Sequence, residues 1–458
     1  MSASRPEPSG QEPQQRQPGA APTLSALFVA FLRLGATAFG GPAMVAYIRQ
    51  MAVDRKGWLN VRSFDDGVAL CQAVPGATAM QTAAYVGLRV RGVLGAATAF
   101  VGFGLPAFVL MLVLSAAYAR THNLPGVISA FSGLQAIVVA IVANAAVSFG
   151  LTTLKHWQQV LITGLAVALY SVSINPCLVV ISTALLGFWL LKAETSSAAN
   201  LRHPDASKPG ESAGASSPAL AGTLSPFEGE RDRERGPTSI RRPGLIRPRS
   251  SEVLRLGMAD TMPATTTPVM GILGAGVALL AVLFLAHRQL FELAVMILRI
   301  DLFAFGGGFA SVPLLFTEVV SLRHWLDGPA LLDGIVLGQV TPGPIVITAT
   351  FVGYLLQGLM GAIVATLGVF LPSFLIVVLT APHFDRLRNS PAFTKLIGGA
   401  LCSFPGLLLV VGVRFAQSVK WDIPHLALAV AAFSALRLEV NILWVVILGT
   451  GLSLLFCR

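Results

Sequence analysis

A segment near the start of the chain, Phe31-Leu-Arg-Leu-Gly-Ala-Thr-Ala-Phe-Gly-Gly-Pro42, returns far downstream as Ile297-Leu-Arg-Ile-Asp-Leu-Phe-Ala-Phe-Gly-Gly-Gly308. The echo continues in order. Leu70-Cys-Gln-Ala-Val-Pro-Gly76 is answered by Leu337-Gly-Gln-Val-Thr-Pro-Gly343, Tyr85-Val-Gly87 by Phe351-Val-Gly353, and Gly104-Leu-Pro-Ala-Phe108 by Phe370-Leu-Pro-Ser-Phe374. The fold must therefore accommodate two copies of one unit, each with apolar segments interrupted by glycine and proline at matching places. In a membrane protein that pattern points to a site between the repeats.

The chain is 54% hydrophobic and 12% charged, with a mean hydropathy of +0.72, which places it among polytopic membrane proteins. Apolar stretches long enough to cross about 30 Å of hydrocarbon run over 93–117, 127–151, 269–286, 359–381, 393–413 and 441–456. Shorter ones cover 160–172, 177–191 and 423–436, and two pairs are apolar but interrupted: 24–48 with 290–316, and 64–87 with 331–354. The predicted fold is an all-α polytopic membrane protein of about 10 to 13 membrane segments, some broken or re-entrant.

The predicted divisions are a disordered tail over 1–23, a first repeat over 24–191, a disordered linker over 192–268, an extra transmembrane helix over 269–286 and a second repeat over 287–458. The tail has no apolar run of the kind a secretory signal needs. The linker, rich in Ser, Pro, Gly, Arg and Glu, cannot bury enough apolar surface to offset its chain entropy. Cys71, Cys177, Cys402 and Cys457 lie far apart, without metal-site spacing, and read as buried free thiols. No metal or cofactor is expected.

The basic residues behind the net charge of +10 sit in short loops between apolar segments, so they read as topology signals and not as a nucleic-acid surface. In the first half Arg49, Arg55, Lys56, Arg62, Arg89 and Arg91 crowd the loops flanking the Pro-Gly segment, where the second half keeps Arg323; the loop at Arg120 is nearly uncharged, where its counterpart holds Arg386, Arg388 and Lys395. Because Lys and Arg mark cytoplasmic loops, the halves are expected to insert in opposite directions, as an inverted repeat. Segments 64–87 and 24–48 then either span, or enter and leave by one face with their turns at Pro75-Gly76 and Gly40-Gly41-Pro42.

Glycine and proline in mid-segment free backbone N–H groups, which attract anions. The candidate substrate contacts at these breaks are Gly40, Gly41, Gly306, Gly307, Gly308, Pro75, Gly76, Pro342 and Gly343, with Gln72, Gln339 and Thr341 beside them. Arg33 and Arg299 sit at equivalent positions inside apolar runs, seven residues before their first glycine; a guanidinium there offers a planar fork of donors to an oxyanion. The bland alternative has Arg33 snorkelling to headgroups and Arg299 paired with Asp301. Asp66 and Asp333, matched at the entrances of the Pro-Gly segments, either carry a proton or cap a half-helix. No His-Glu-x-x-His, Gly-x-Ser-x-Gly or Walker motif appears, so the chain gives no sign of a metalloprotease, serine hydrolase or ATP-driven pump.

These motifs, with the paired Trp58-Leu and Trp325-Leu loops, resemble the chromate ion transporter family in its long two-domain form, over roughly residues 24 to 190 and 290 to 456. The resemblance implies a multi-pass protein of the bacterial inner membrane that exports chromate and so confers chromate resistance, and it implies no enzymatic activity. The expected partners are chromate, with sulfate as a second candidate, and the lipid bilayer; nucleic acid is excluded, and a homodimer is left open. A carrier for sulfate or another oxyanion is the alternative, and a membrane-embedded enzyme binding lipid phosphate a more distant one, since no acid-base or nucleophilic pair stands at plausible spacing.

Overall fold

The computed structural model describes residues 22–39, 43–191 and 266–456. Residues 1–21 of the expected tail (1–23), residues 192–265 of the expected linker (192–268), Gly40, Gly41 and Pro42, and Cys457 lie outside the described residues. The described residues form helices without strands.

The first half opens with α1 (Leu24–Thr37), capped by the Thr23 side chain, then α2 (Ala43–Arg49), which runs into a π-helical turn over Gln50–Arg55. Next come α3 (Val61–Ala73), capped by Asn60, and α4 (Thr78–Thr121). Val74 is extended, as the residue before a proline prefers to be, and Pro75-Gly76 separates α3 from α4. The chain continues through α5 (Pro125–Thr153), α6 (Trp157–Ser171) and α7 (Pro176–Leu190). The unrepeated helix α8 (Thr266–Ala286) follows, largely exposed along its length as a lipid-facing helix would be.

The second half repeats the plan: α9 (Arg288–Phe303), α10 (Ser311–Leu315) with a π-helical turn over Phe316–Leu322, α11 (Gly328–Val340) capped by Asp327, and α12 (Thr348–Thr380). A short α13 (Phe384–Arg388) leads to α14 (Pro391–Ser418), α15 (Ile423–Arg437) and α16 (Ile442–Phe456). The capping duty expected of Asp66 and Asp333 belongs instead to Asn60 and Asp327, six residues upstream of each.

Helix α4 is two arms folded back on each other. Arg91 (φ −142°, ψ 22°) and Gly92 (φ 65°, ψ −156°) leave the helical region, and so do Gln357 (φ −140°, ψ 24°) and Gly358 (φ 57°, ψ −145°) at the equivalent point of α12. After each break the backbones touch: a Cβ on Gly87 would stand 2.2 Å from the carbonyl oxygen of Gly95, and one on Gly353 would stand 2.2 Å from that of Gly361. Only glycine permits so close a return.

Segment 64–87 folds as a hairpin, the shape that the re-entrant alternative requires. Tyr85 Oη donates to the Ser63 carbonyl (3.1 Å) and Arg89 Nη2 to Ser63 Oγ (3.2 Å), so α3 and the first arm of α4 run antiparallel about Pro75-Gly76 and return to the end they started from. Arg91 Nε donates to the Pro22 carbonyl (2.7 Å), which brings the start of α1 to the same end. The α1–α2 unit therefore also begins and ends there. The 14 residues of α1 and 13 of α3 reach about 20 Å at about 1.5 Å per residue, enough to approach a bilayer midplane and not to cross it.

Among the described residues five helices are long and apolar enough to cross a membrane: α4, α5, α8, α12 and α14. In α4 and α12 the crossing falls to the second arm. Two crossings in the first half and the single crossing of α8 start the second half on the opposite face, the inversion that the loop charges imply. Contacts agree: at the far end of α4, Tyr118 Oη donates to Asp333 Oδ2 (2.8 Å) near the mouth of the α11 hairpin. The halves interlock through exchanged partners, with α5 packed against α15 and α16, and α14 against α6 and α7. Glycine makes these crossings close, as where Gly187 meets Gly399, and Cys71, Cys177 and Cys402 are buried free thiols within the fold.

Candidate functional site

Three interruptions, at Pro75-Gly76, Gly306–Gly308 and Pro342-Gly343, meet where the two halves cross, together with Ala38. The amide of Gly76 donates to the carbonyl of Ala304, directly before the second half's triple-glycine break (2.9 Å), and the amide of Gly343 donates to the carbonyl of Ala38, directly before the first half's break (3.2 Å). Each Pro-Gly turn is thus tied to the opposite half's other hairpin, by the same bond at equivalent residues. Gly76 (φ 120°) and Gly343 (φ 119°) hold a conformation that other residues rarely adopt. Both amides are engaged with protein carbonyls, where the sequence suggested bare donors.

Around this joint, Gly306 (φ 86°) and Gly307 (φ 97°) are half-exposed, and none of the described backbone carbonyls accepts from Gly306, Gly307 or Gly308. Gly307 approaches Thr78, and Gly308 approaches Ile345. Thr341 and Thr348 are buried, and their hydroxyls donate to the carbonyls of Gly338 (3.0 Å) and Ile345 (2.8 Å). Gln339 Nε2 is buried without a partner, a donor in place beside Pro342-Gly343. Its counterpart Gln72 is exposed.

The two arginines are placed differently. Arg33 lies on the exposed face of α1, opposite the buried Leu27, Phe31 and Gly35. Arg299 is half-buried and forms an ion pair with Glu318, whose other carboxylate oxygen accepts from Arg323 (3.4 Å). Asn175, at the α6–α7 turn, also donates to Glu318 (3.4 Å), and Arg299 Nε stays buried without a partner. The pairing of Arg299 with Asp301 does not occur.

Asp301 instead turns inward, fully buried. Its Oδ2 accepts from both the amide (2.9 Å) and the hydroxyl (2.8 Å) of Ser373, and Ser373 Oγ accepts from the amide of Ala77 (3.1 Å), the residue after the Pro75-Gly76 turn. A carboxylate therefore stands at the joint, where the sequence suggested donors alone. Asp333 accepts from Tyr118 and from Gln135 Nε2 (2.8 Å) at the base of a cleft of about 390 Å³ lined by Tyr118, His122, Asp327 and Asp333. Asp66 occupies the matching place in α3. Sequence reasoning passed over Glu318, Gln81, Ser373 and Gln135; the available signal was an ionisable, amide or hydroxyl side chain inside an apolar run, the cue that for charge singled out the arginines. No group of three or more His, Cys, Asp and Glu that could hold a metal occurs among the described residues.

The crossed hairpins and doubled halves define a polytopic helical transporter-type membrane protein built as an inverted repeat. The sequence profile of the chromate transporter family matches residues 25–188 and again residues 291–454, and the chain belongs to that family. It is 35% identical over 438 residues to an uncharacterised transporter of Methanocaldococcus jannaschii, covering 95% of this chain and 94% of that one. It is 30% identical to the chromate transport protein of Cupriavidus metallidurans (90% and 88% covered) and 26% identical to the chromate transport protein of Pseudomonas aeruginosa (93% and 91%). No solved structure matches the chain.

Proposed function

We propose that this protein is a secondary transporter that exports chromate across the bacterial inner membrane and thereby confers chromate resistance. The observation that carries the reading is the crossed pair of bonds from Gly76 to Ala304 and from Gly343 to Ala38, which brings the broken backbones of both halves to one point. Discontinuous helices meeting at mid-depth are the construction that lets a transporter hold an ion without spanning water. In this reading Gln339 Nε2, the amides of Gly306, Gly307 and Gly308 and the unpartnered Nε of Arg299 are the donors, and a tetrahedral dianion carries only acceptors. Gly40, Gly41 and Arg33 contribute from the first half in this reading, with Gln72, Thr341, Pro75 and Pro342 shaping the turns.

Export agrees with the energetics. One charge moved through 100 mV is worth about 2.3 kcal/mol, so a dianion leaving a negative interior gains roughly 4.6 kcal/mol, about three powers of ten in concentration. Sulfate shares the charge and shape of chromate and competes for the same donors. Asp66 and Asp333 are the proton-exchange candidates at the mouths of the α3 and α11 hairpins. The test is radiolabelled chromate uptake into inverted membrane vesicles with an imposed potential and added sulfate. Potential-dependent uptake blocked by sulfate is expected; uptake equal to that of vesicles lacking the protein would refute the proposal.

A further inference from the structure

The polar chain at the joint exists in one half only. At the equivalent points of the other half Asp301 is replaced by Gly35, Ser373 by Ala107 and Ala77 by Pro344, so carboxylate, hydroxyl and backbone donor are missing together. Backbone geometry at the two places is otherwise the same, as the bonds made by Gly76 and Gly343 attest. Three groups absent as a set form one device.

The device is short of a hydrogen. Asp301 Oδ2 has two donors, but Asp301 Oδ1 is buried without a partner, and so is Gln81 Oε1, whose amide nitrogen donates to the Pro75 carbonyl (2.6 Å) on the other side of Gly76. Two buried acceptor oxygens lack any protein donor among the described residues, and each such deficit is costly. An ionised carboxylate there would also lack a cation. The ionisable groups on the neighbouring elements are Arg288, Glu292 and Arg299 on α9 itself, Tyr354 on α12, and Tyr85, Arg89, Arg91, Tyr118 and Arg120 on α4; α8 and α10 carry none. Arg299 is committed to Glu318, Arg89 to Ser63 and Arg91 to Pro22, and the groups acting on Asp301 are the amide and hydroxyl of Ser373.

The geometry points to Asp301 as a proton-binding residue whose occupancy is linked to that of the transported anion, through Ser373 and the Ala77 amide at the Pro-Gly turn. The inference rests on the oxyanion reading of the joint. A proton on Oδ1 neutralises the buried carboxylate and removes a negative charge from beside the anion, so proton and dianion bind together. The second half alone carries the device, so this joint binds one proton with each anion.

The test counts protons. Purified full-length protein is titrated with chromate by calorimetry in buffers of differing ionisation enthalpy, in a pH range where chromate itself holds no proton. Wild type is expected to take up about one proton per chromate bound, with affinity falling about tenfold per pH unit once Asp301 is ionised. Asp301→Asn is expected to bind chromate with no proton uptake and a flat pH profile, and Ser373→Ala to keep the uptake while moving the pH at which affinity begins to fall. Chromate binding by wild type without proton uptake, proton uptake retained in Asp301→Asn, or an unmoved profile in Ser373→Ala would overturn the inference. Absence of chromate binding by folded wild type would instead overturn the reading of the site. If Asp301→Asn does not fold, the Ser373→Ala profile decides.

Discussion

Replacing Gly76 with alanine tests whether the central joint is built as described. Two costs apply there. At φ 120° an alanine backbone is strained by about 1–3 kcal/mol, and the new Cβ would stand 2.1 Å from Ser373 Oγ and 2.7 Å from Gln81 Nε2. Neither neighbour is a loose end: Ser373 is held by Asp301 and the Ala77 amide, and Gln81 by the Pro75 carbonyl. Overpacking against fixed groups adds about 1–3 kcal/mol. Gly57 is the control, since its φ of 61° is also positive but nothing lies within 4 Å of an added Cβ, leaving a backbone cost of about 1 kcal/mol. Gly76→Ala should therefore lose roughly 2 kcal/mol or more beyond Gly57→Ala in equilibrium unfolding in detergent, and lose chromate flux. Gly76→Ala with Ser373→Gly should recover part of the deficit, a coupling of about 1 kcal/mol. Equal stability of the two single variants would refute the packing at the joint.

Glu318→Gln should weaken the fold by about 1–2 kcal/mol in the same assay, a value discounted because Arg299 and Arg323 are 40% and 30% exposed, while freeing Arg299 and raising chromate affinity; unchanged affinity would separate Arg299 from the site. Arg33→Gln and Arg299→Gln should each reduce chromate uptake into inverted vesicles at least tenfold, and intact uptake in both would remove the arginines from the mechanism. Gly87→Leu, whose Cβ meets the Gly95 backbone, should abolish recovery of monodisperse protein, whereas Gly126→Leu, with open space around it, should not. Cysteines placed at the exposed Lys56 and His324, in equivalent loops, should react with an impermeant maleimide from opposite faces of the membrane; labelling from one face would contradict the inversion.

Much of the fold was legible because the signals were physical and duplicated. Breaks at Pro75-Gly76 and Pro342-Gly343 stand out against apolar surroundings, and the asymmetry between Arg55, Lys56 and Arg62 on one side and Arg323 on the other encodes orientation. The turn that follows the Pro-Gly segment, marked in the sequence by Arg89 and Arg91, takes only Arg91 and Gly92 out of helical geometry, since glycine at one position suffices where the backbones of Gly87 and Gly95 already touch. The site was legible only by its backbone. Which carbonyl would fill the Gly76 amide, or whether Arg299 would choose Asp301 two residues away or Glu318 nineteen away, depends on how the hairpins cross, and spacing along a chain carries no record of that.

Duplication and divergence have worked on different parts of the molecule. The backbone has stayed symmetric: the Pro-Gly turns share φ within a degree, both π-helical turns persist, and the inter-half bonds are copies of each other. The polar side chains have not. Arg33 is exposed while its twin Arg299 is neutralised by Glu318, and Asp301 and Ser373 face a joint whose mirror place holds Gly35 and Ala107. A symmetric scaffold gives two equivalent hairpin crossings, and under the proposed transport function these are the two places where the joint would open, one toward each face. Asp301 and Glu318, which have no ionisable counterpart in the first half, would make those two openings differ in charge, and a field across the membrane can act on that difference. Direction would then reside in the second half's Asp301, Arg299 and Glu318, and the first half would supply the geometry they work against.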